Sequence, residues 1–297
     1  MAVTISLPSS VSSKSIGLEV WMERVLERAD QARRSWDADD VHDLRTALRR
    51  CRTMADALSE VNPSPGLRKL KKVSRGLFHT LGALRDTQVE RGWVKKIGPA
   101  GDPLRKHLLR LLSVREKKNR ETAAQALDQF DRKEWKRLAR KLASKAEFFP
   151  PESVVFQRLA LTQLNGAVEL YEKARKGRSR VAWHRLRIGL KRFRYIVENF
   201  LPQRSDVWGP DLRQMQDQLG DVHDMDVLRT LVRREGLRFS PAVVAVWLDK
   251  IDAKRKATLK EFLAKAAGPE SPWLTWRAGF QWGHSLIGSS FRQKRTA

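Results

Sequence analysis

Two segments of the chain share one pattern of histidine, arginine and lysine. Residues 41–52 read VHDLRTALRRCR and residues 183–194 read WHRLRIGLKRFR, so both contain H-x-L-R-x-x-L-[RK]-R-x-R. On a helix, four basic positions of each segment form one stripe, and the leucines face the other way. Because a guanidinium group can donate two parallel hydrogen bonds to a phosphate, the stripes favour phosphate binding. The stripe residues are His42, Arg45, Arg49 and Arg52 in the first segment and His184, Arg187, Lys191 and Arg194 in the second.

A further basic row follows the first segment on the next predicted helix. Like charges three or four positions apart repel by a few tenths of a kcal/mol per pair, so an external anion would stabilise such a row. The alternative is a solvated basic face, which is the usual role of a charge run. The arginine content and the duplication of the stripes favour anion binding. The row comprises Arg68, Lys71, Lys72, Arg75 and His79. The matching helix of the second half offers only Arg213, which predicts an uneven site.

The two halves of the chain repeat each other. The histidine-arginine segments align with His42 opposite His184, and LGALRDTQV at 81–89 aligns with LGDVHDMDV at 219–227. Two predicted helix starts, Asp102-Pro103 and Ser240-Pro241, are separated by the same interval as the two L-G segments. Three landmarks in the same order indicate an internal duplication.

Composition narrows the class of protein. The 297 residues include 59 Lys and Arg against 34 Asp and Glu, and the resulting net charge of +25 is shared by both halves. Such an excess is typical of proteins that bind polyanions. Cys51 is the only cysteine, which excludes an intramolecular disulfide and a zinc site built from cysteines. No apolar run reaches the ~18 residues of a membrane helix. We therefore expect a cytoplasmic protein without membrane contact.

Nearly every segment has helical periodicity, and no segment alternates as a strand would. We therefore predict an all-α fold, with a boundary at the Phe-Phe-Pro-Pro stretch of residues 148–151. The predicted helices of the first half span 16–36, 38–60, 66–82, 84–97, 103–128 and 131–146. Those of the second half span 153–176, 180–200, 207–220, 224–235, 241–266 and 272–282.

The paired histidine-arginine segments, each followed by an L-G-x-x-x-D motif, resemble the CHAD family, the conserved histidine α-helical domain, over about residues 16–282. The resemblance implies two repeated four-helix-type bundles, related by pseudo-twofold symmetry, with a basic groove or pore between them. It also implies binding of inorganic polyphosphate and association with polyphosphate granules. The site residues that it implies are Arg45, Arg49, Arg50, Arg52, Arg187, Lys191, Arg192 and Arg194, with His42 and His184 as the name-giving histidines. Gln88 departs from the family, which usually has an acidic residue there.

The composition of the two ends and the family resemblance of the residues between them predict how the chain is divided. We expect a disordered N-terminal tail at 1–15, a CHAD domain at 16–284 and a basic C-terminal tail at 285–297. Within the domain, the first repeat would span 16–146 and the second 153–284.

Other candidate sites carry less weight. A metal site built from His42 and His184 is disfavoured because the adjacent arginines would repel a cation. Asp86 and Asp224 follow an apparent helix break, and we interpret them as helix caps or as ion-pair partners. No P-loop, dinucleotide-binding, nucleophile-elbow or triphosphate-tunnel motif is present. We therefore predict a binding protein without a cofactor or metal, not an enzyme.

Two binding functions remain open. The first is polyphosphate binding through the Arg and Lys stripes, at polyphosphate granules. The second is non-specific nucleic-acid binding, which the net charge alone supports. The stripes lack the interleaved aromatic residues that stack on single strands, and no helix-turn-helix, RRM or zinc finger is recognisable. We favour polyphosphate as the partner, and the sequence does not identify a protein partner.

Overall fold

The fold consists of α-helices joined by short connections. The computed structural model describes residues 17–146, 150–177 and 179–280, and within these ranges it contains eleven α-helices, one 3₁₀ turn and no strand. The helices of the first half are α1 (Leu18–Ser35), α2 (Ala38–Val61), α3 (Pro65–Val73), α4 (Arg75–Ile97), α5 (Pro103–Asp128) and α6 (Arg132–Ala146). Those of the second half are α7 (Val154–Lys176), α8 (Arg180–Phe200), α9 (Pro202–Glu235), α10 (Pro241–Ala266) and α11 (Pro272–Ala278).

The all-α prediction is confirmed, whereas the pseudo-twofold relation between the halves stays a prediction. The tails predicted at 1–15 and 285–297 lie outside the described residues. None of the helices described is long and apolar enough to cross a membrane.

Capping residues followed by proline begin three helices, as the sequence predicts. Asp102 begins α5, and its carboxylate accepts a hydrogen bond from the Arg105 backbone N–H at 2.7 Å. Ser240 begins α10 in the same way and accepts from the Val243 N–H at 3.5 Å. Ser271 precedes α11, but its hydroxyl instead donates to the Ala266 carbonyl at 2.7 Å. Proline fits these positions because the first helical N–H has no partner within the helix.

Two predicted helix breaks are wrong. The helix α3 ends just before Ser74, and α4 then continues through Leu81 and Gly82, where the sequence predicts a helix end. Likewise α9 is one helix from Pro202 to Glu235 and passes through Gly220. A glycine inside a helix costs about 1 kcal/mol relative to alanine, and burial of the neighbouring leucine offsets that cost.

Two apolar cores are shared between the halves. The smaller core packs α4 and α5 of the first half against α9 and α10 of the second, with Trp247 at 0% exposure. The larger core includes residues of α1, α2, α6, α7 and α8, among them Cys51. The aromatic residues Trp273 and Trp276 of α11 are also buried there. Contacts of α2 with α8 and of α4 with α9 then join the halves around a central space.

Candidate anion-binding cavity

A cavity of about 670 Å³ lies between α2, α4, α8 and α9. Its charges are divided between two sides. The side formed by α2 and α8 carries six basic residues and one carboxylate, Glu198, and the side formed by α4 and α9 carries five carboxylates and one arginine, Arg85. We call the first set the basic wall: Arg45, Arg49, Arg50, Arg187, Lys191 and Arg194. The second set is the acidic wall: Asp86, Glu90, Asp217, Asp221 and Asp224.

The basic wall brings together guanidinium groups from both halves. Arg49 Nη1 donates to Tyr195 Oη at 3.0 Å, which joins α2 to α8 inside the cavity. Arg45 lies over the ring of Phe78, with 4.7 Å from its ζ carbon to the ring centroid. A Cβ added at Gly82 would be in ordinary van der Waals contact with that guanidinium, at 3.6 Å, so Arg45 packs directly against α4. Burial lowers the pKa of Arg45 to about 10, and the positive charge of Arg49 contributes to this shift. Arg45 therefore stays charged at neutral pH.

Lys191 lies on the basic wall with four arginines near it. Burial lowers its pKa to about 6, and the charges of Arg49, Arg187 and Arg45 contribute to this shift. Within the described residues, its amine has no ion pair with a carboxylate. Because a pKa of about 6 leaves the amine mostly neutral at pH 7, a bound anion would return it to the charged form.

Glu198 fixes two other members of the basic wall. Its Oε2 accepts from Arg50 Nη2 at 2.8 Å, and its Oε1 accepts from Arg194 Nε at 2.7 Å. The Glu198 side chain is only 6% exposed. Arg50 also donates to Asn199 Oδ1 at 3.1 Å and lies 4.4 Å from the ring centroid of Trp21. Arg50 and Arg194 are therefore paired within the protein and have less capacity to bind a ligand.

Replacing Glu198 with glutamine should destabilise the fold by about 3 kcal/mol, because removal of one partner leaves buried charges without compensation. Chemical denaturation of the variant measures this loss. Added polyphosphate should restore part of the stability, since an anion in the cavity would compensate Arg50 and Arg194. Glu172→Gln is the matched control, because Glu172 pairs with Arg175 on the surface of α7 and should change stability by less than about 0.5 kcal/mol. Equal losses in the two variants would contradict the role given to Glu198.

The acidic wall faces the arginines without forming close ion pairs to them. Asp224 Oδ2 accepts a hydrogen bond from Trp93 Nε1 at 3.2 Å, and burial raises its pKa. Asp86 is exposed in the middle of α4, and Asp224 lies in the middle of α9. The interpretation of these two residues as helix caps is therefore wrong. Their charges act on Arg45 and Arg187 through space.

Glu90 belongs to the acidic wall and also lines a neighbouring cavity. It accepts from Arg115 Nη1 at 3.1 Å, yet burial raises its pKa and the charges of Asp86 and Asp224 raise it further. Burial also raises the pKa of Asp221. The acidic wall therefore stabilises the charged arginines when no ligand is bound. Its carboxylates would repel an anion that enters the cavity.

The histidines lie beside the arginines. His42 lines the cavity, and burial followed by the charge of Arg85 lowers its pKa. His184 Nδ1 lies 3.2 Å from Nδ1 of His223, which also lines the cavity. Burial, Arg187 and His184 lower the pKa of His223 to about 4. In the described part of the chain, no three side chains of His, Cys, Asp or Glu lie together as a metal site.

The remaining predicted site residues do not line this cavity. Arg52 donates to the Lys71 carbonyl at 2.6 Å and to Ser74 Oγ at 2.9 Å, so it secures the junction of α3 and α4. Lys71 pairs with Asp56, and His184 contacts His223 without lining the cavity itself. The others are exposed on α3, α4, α8 and α9: Arg68, Lys72, Arg75, His79, Arg192 and Arg213.

Sequence reasoning missed the acidic wall and the aromatic contacts. Arg85 and Asp86 align with His223 and Asp224 when the two L-G segments are superimposed, so the repeated motif already contained the signal. The positions of these residues on the cavity wall depend on α4 and α9 continuing through Gly82 and Gly220. The aromatic residues of the cavity had no separate signal in the sequence.

Comparison with known proteins places this fold in a family. A model of the CHAD domain family matches residues 20–233. The crystal structure of the CHAD domain from the plant Ricinus communis is similar, with a TM-score of 0.59 and 24% identity, covering 90% of this chain and 91% of that chain. PptA from Streptomyces chartreusis is similar with a TM-score of 0.58 and 16% identity, covering 85% of this chain and 97% of that chain.

A comparison with curated proteins finds no match. The structural likenesses are below 25% identity and indicate the fold alone, whereas the family match spans most of the chain. Polyphosphate binding is the known role of that family. By this match, and in agreement with the histidine-arginine segments, the chain belongs to the CHAD domain family.

Proposed function

We propose that this chain binds inorganic polyphosphate in the cavity between α2, α4, α8 and α9. Arg45, Arg49, Arg187 and Lys191 contact the phosphate groups. The observation that supports this is the shared basic wall, in which these four basic side chains from both halves have no carboxylate ion pair within the described residues. Phosphate oxygens would remove their mutual repulsion and accept charge-assisted hydrogen bonds, each worth about 1.5–3 kcal/mol.

The exposed basic residues extend this function to the outer surface. The cavity carries nearly as many carboxylates as cations, so most of the net charge of +25 lies elsewhere on the protein. The row Arg68, Lys72, Arg75 and His79 on α3 and α4 is exposed and attracts further segments of the polymer or the surface of a polyphosphate granule. Association with such granules follows from binding of the polymer.

Nucleic acid is the second candidate, and the net charge is the observation that favours it. Duplex DNA is too wide to enter a cavity of about 670 Å³ and would reach only the outer surface. A competition assay at one salt concentration separates the candidates. Long-chain polyphosphate should displace a labelled short polyphosphate at much lower concentration than duplex DNA of equal phosphate content. Equal displacement by both polymers would exclude a specific polyphosphate cavity.

Polyphosphate affinity should fall as the pH rises from about 6 to 8. The pKa of Lys191 is about 6 in the free protein, and contact with phosphate raises it. Between these two values binding takes up one proton, so the association constant decreases by up to about tenfold per pH unit. Titration calorimetry at several pH values, in buffers of different ionisation enthalpy, measures both effects. Lys191→Arg, which stays charged, should flatten the profile, and an unchanged slope in that variant would contradict this assignment.

A further inference from the structure

The amine of Lys191 combines three properties that rarely occur together. It lies on the wall of an accessible cavity, it has no carboxylate partner among the described residues, and guanidinium groups from α2 and α8 line the same cavity. An exposed lysine is protonated and therefore not nucleophilic, whereas burial among cations keeps this amine neutral near pH 7. The same cations would stabilise any negative group formed on the nitrogen.

We propose that Lys191 reacts reversibly with carbon dioxide to form a carbamate. The lone pair of Nζ forms a bond to the carbon of CO₂, and one C–O π pair moves onto oxygen. The nitrogen then releases one proton to bulk water, which leaves an N-carboxylate with a single negative charge. No oxidant, metal or further reactant is needed.

The surroundings favour the carboxylate product over the free amine. Arg45 and Arg49 face Lys191 from α2, and Arg187 and Arg194 act on it from α8. Their repulsion of an ammonium becomes attraction for a carbamate. The charged and titratable groups on the opposite wall of the same cavity are Arg85, Asp86 and Glu90 on α4, and Asp217, Asp221, His223 and Asp224 on α9. The pKa of His223 is about 4, so it is neutral near pH 7.

Carbamate formation would regulate the cavity. The new carboxylate occupies the space of a phosphate group, and its negative charge offsets the positive charge of one neighbouring guanidinium. It therefore competes with polyphosphate for the same guanidinium groups. This consequence rests on the proposed function, but the modification itself does not. Polyphosphate affinity should decrease about tenfold when bicarbonate is present at about ten times its apparent dissociation constant.

Carbon-13 NMR of the full chain in ¹³C-bicarbonate at pH 7.5–8 tests the proposal. We expect a protein carbamate signal in the chain without substitutions. Alkylation of the carbamate followed by peptide mass spectrometry should place it on Lys191. Lys260→Met removes an exposed lysine of α10 and should leave the signal unchanged. Lys191→Met and Lys191→Arg should both abolish it, and Lys191→Arg also retains the positive charge of the wall.

The outcomes separate this inference from the proposed function. Absence of a carbamate signal, or its persistence in both Lys191 variants, would overturn the inference whether or not polyphosphate binds. A signal on Lys191 that tripolyphosphate displaces would support both. A signal on Lys191 that polyphosphate never displaces would support the modification and contradict polyphosphate binding in the cavity.

Discussion

Replacing Arg49 and Lys191 together with glutamate should weaken polyphosphate binding at least a hundredfold. Each reversal removes a phosphate interaction of about 1.5–3 kcal/mol and adds repulsion at the same point. The slope of log affinity against log salt should also flatten by about one for each phosphate interaction removed. Titration calorimetry at several salt concentrations measures both changes. Because Leu48 and Leu190 on the apolar faces are untouched, the helical content should be retained.

The control is a variant with the same change in net charge outside the cavity. Lys256 and Lys260 are exposed on α10, and their replacement by glutamate also lowers the net charge by four units. This control should reduce affinity only slightly, through the general field of the protein. If both double variants weaken binding equally, binding depends on the net charge of the whole protein and the cavity is not the binding site.

Removing charge from the acidic wall should have the opposite effect. Asp86→Asn together with Asp224→Asn should strengthen polyphosphate binding about tenfold, because two carboxylates no longer repel the phosphate groups across the cavity. Asparagine keeps the carbonyl oxygen that accepts the hydrogen bond from Trp93 at position 224. The measurement is again titration with a short linear polyphosphate at fixed salt.

The matched control changes two carboxylates that lie outside the cavity lining. Asp206 and Asp249 are exposed on α9 and α10, and neither lines the cavity. Asp206→Asn with Asp249→Asn makes the same change in net charge and should alter affinity less than about twofold. A weaker affinity in the Asp86 and Asp224 variant would show that the acidic wall supports the ligand, contrary to its assigned role.

The stripes on α2 and α8 could be predicted because they depend only on helical periodicity. Once residues 41–52 and 183–194 are placed on helices, Arg45, Arg49, Arg187 and Lys191 necessarily occupy the face opposite the leucines. The duplication then suggested that the two stripes meet. That all four line one cavity depends on the packing of α2 against α8, which periodicity within a single helix does not determine.

The row on α3 shows where local pattern is insufficient. The sequence predicts one helix over 66–82, which would align Arg68, Arg75 and His79 along one face. The structure interrupts this helix at Ser74, where Arg52 donates hydrogen bonds to the Lys71 carbonyl and to Ser74 Oγ. Arg68, Lys72, Arg75 and His79 are exposed and do not line the cavity, which the pattern within one helix does not determine.

The acidic wall required knowledge of contacts between distant helices. In the sequence, Asp86 and Asp224 each follow shortly after a glycine, a residue that is also common where helices end. Their function on the cavity wall depends on α4 packing against α9 from the other half of the chain. Interactions of this kind set the pKa values of Asp224 and Glu90, because those shifts arise from burial and from charges on other helices.

The position of the phosphorus atoms in a crystal structure with a short linear polyphosphate tests the central proposal most directly. We predict phosphate groups between α2 and α8, with oxygens within hydrogen-bond distance of the Arg45, Arg49 and Arg187 guanidinium groups and of Lys191 Nζ. An empty cavity with polyphosphate bound on the outer row of α3 would contradict the proposal.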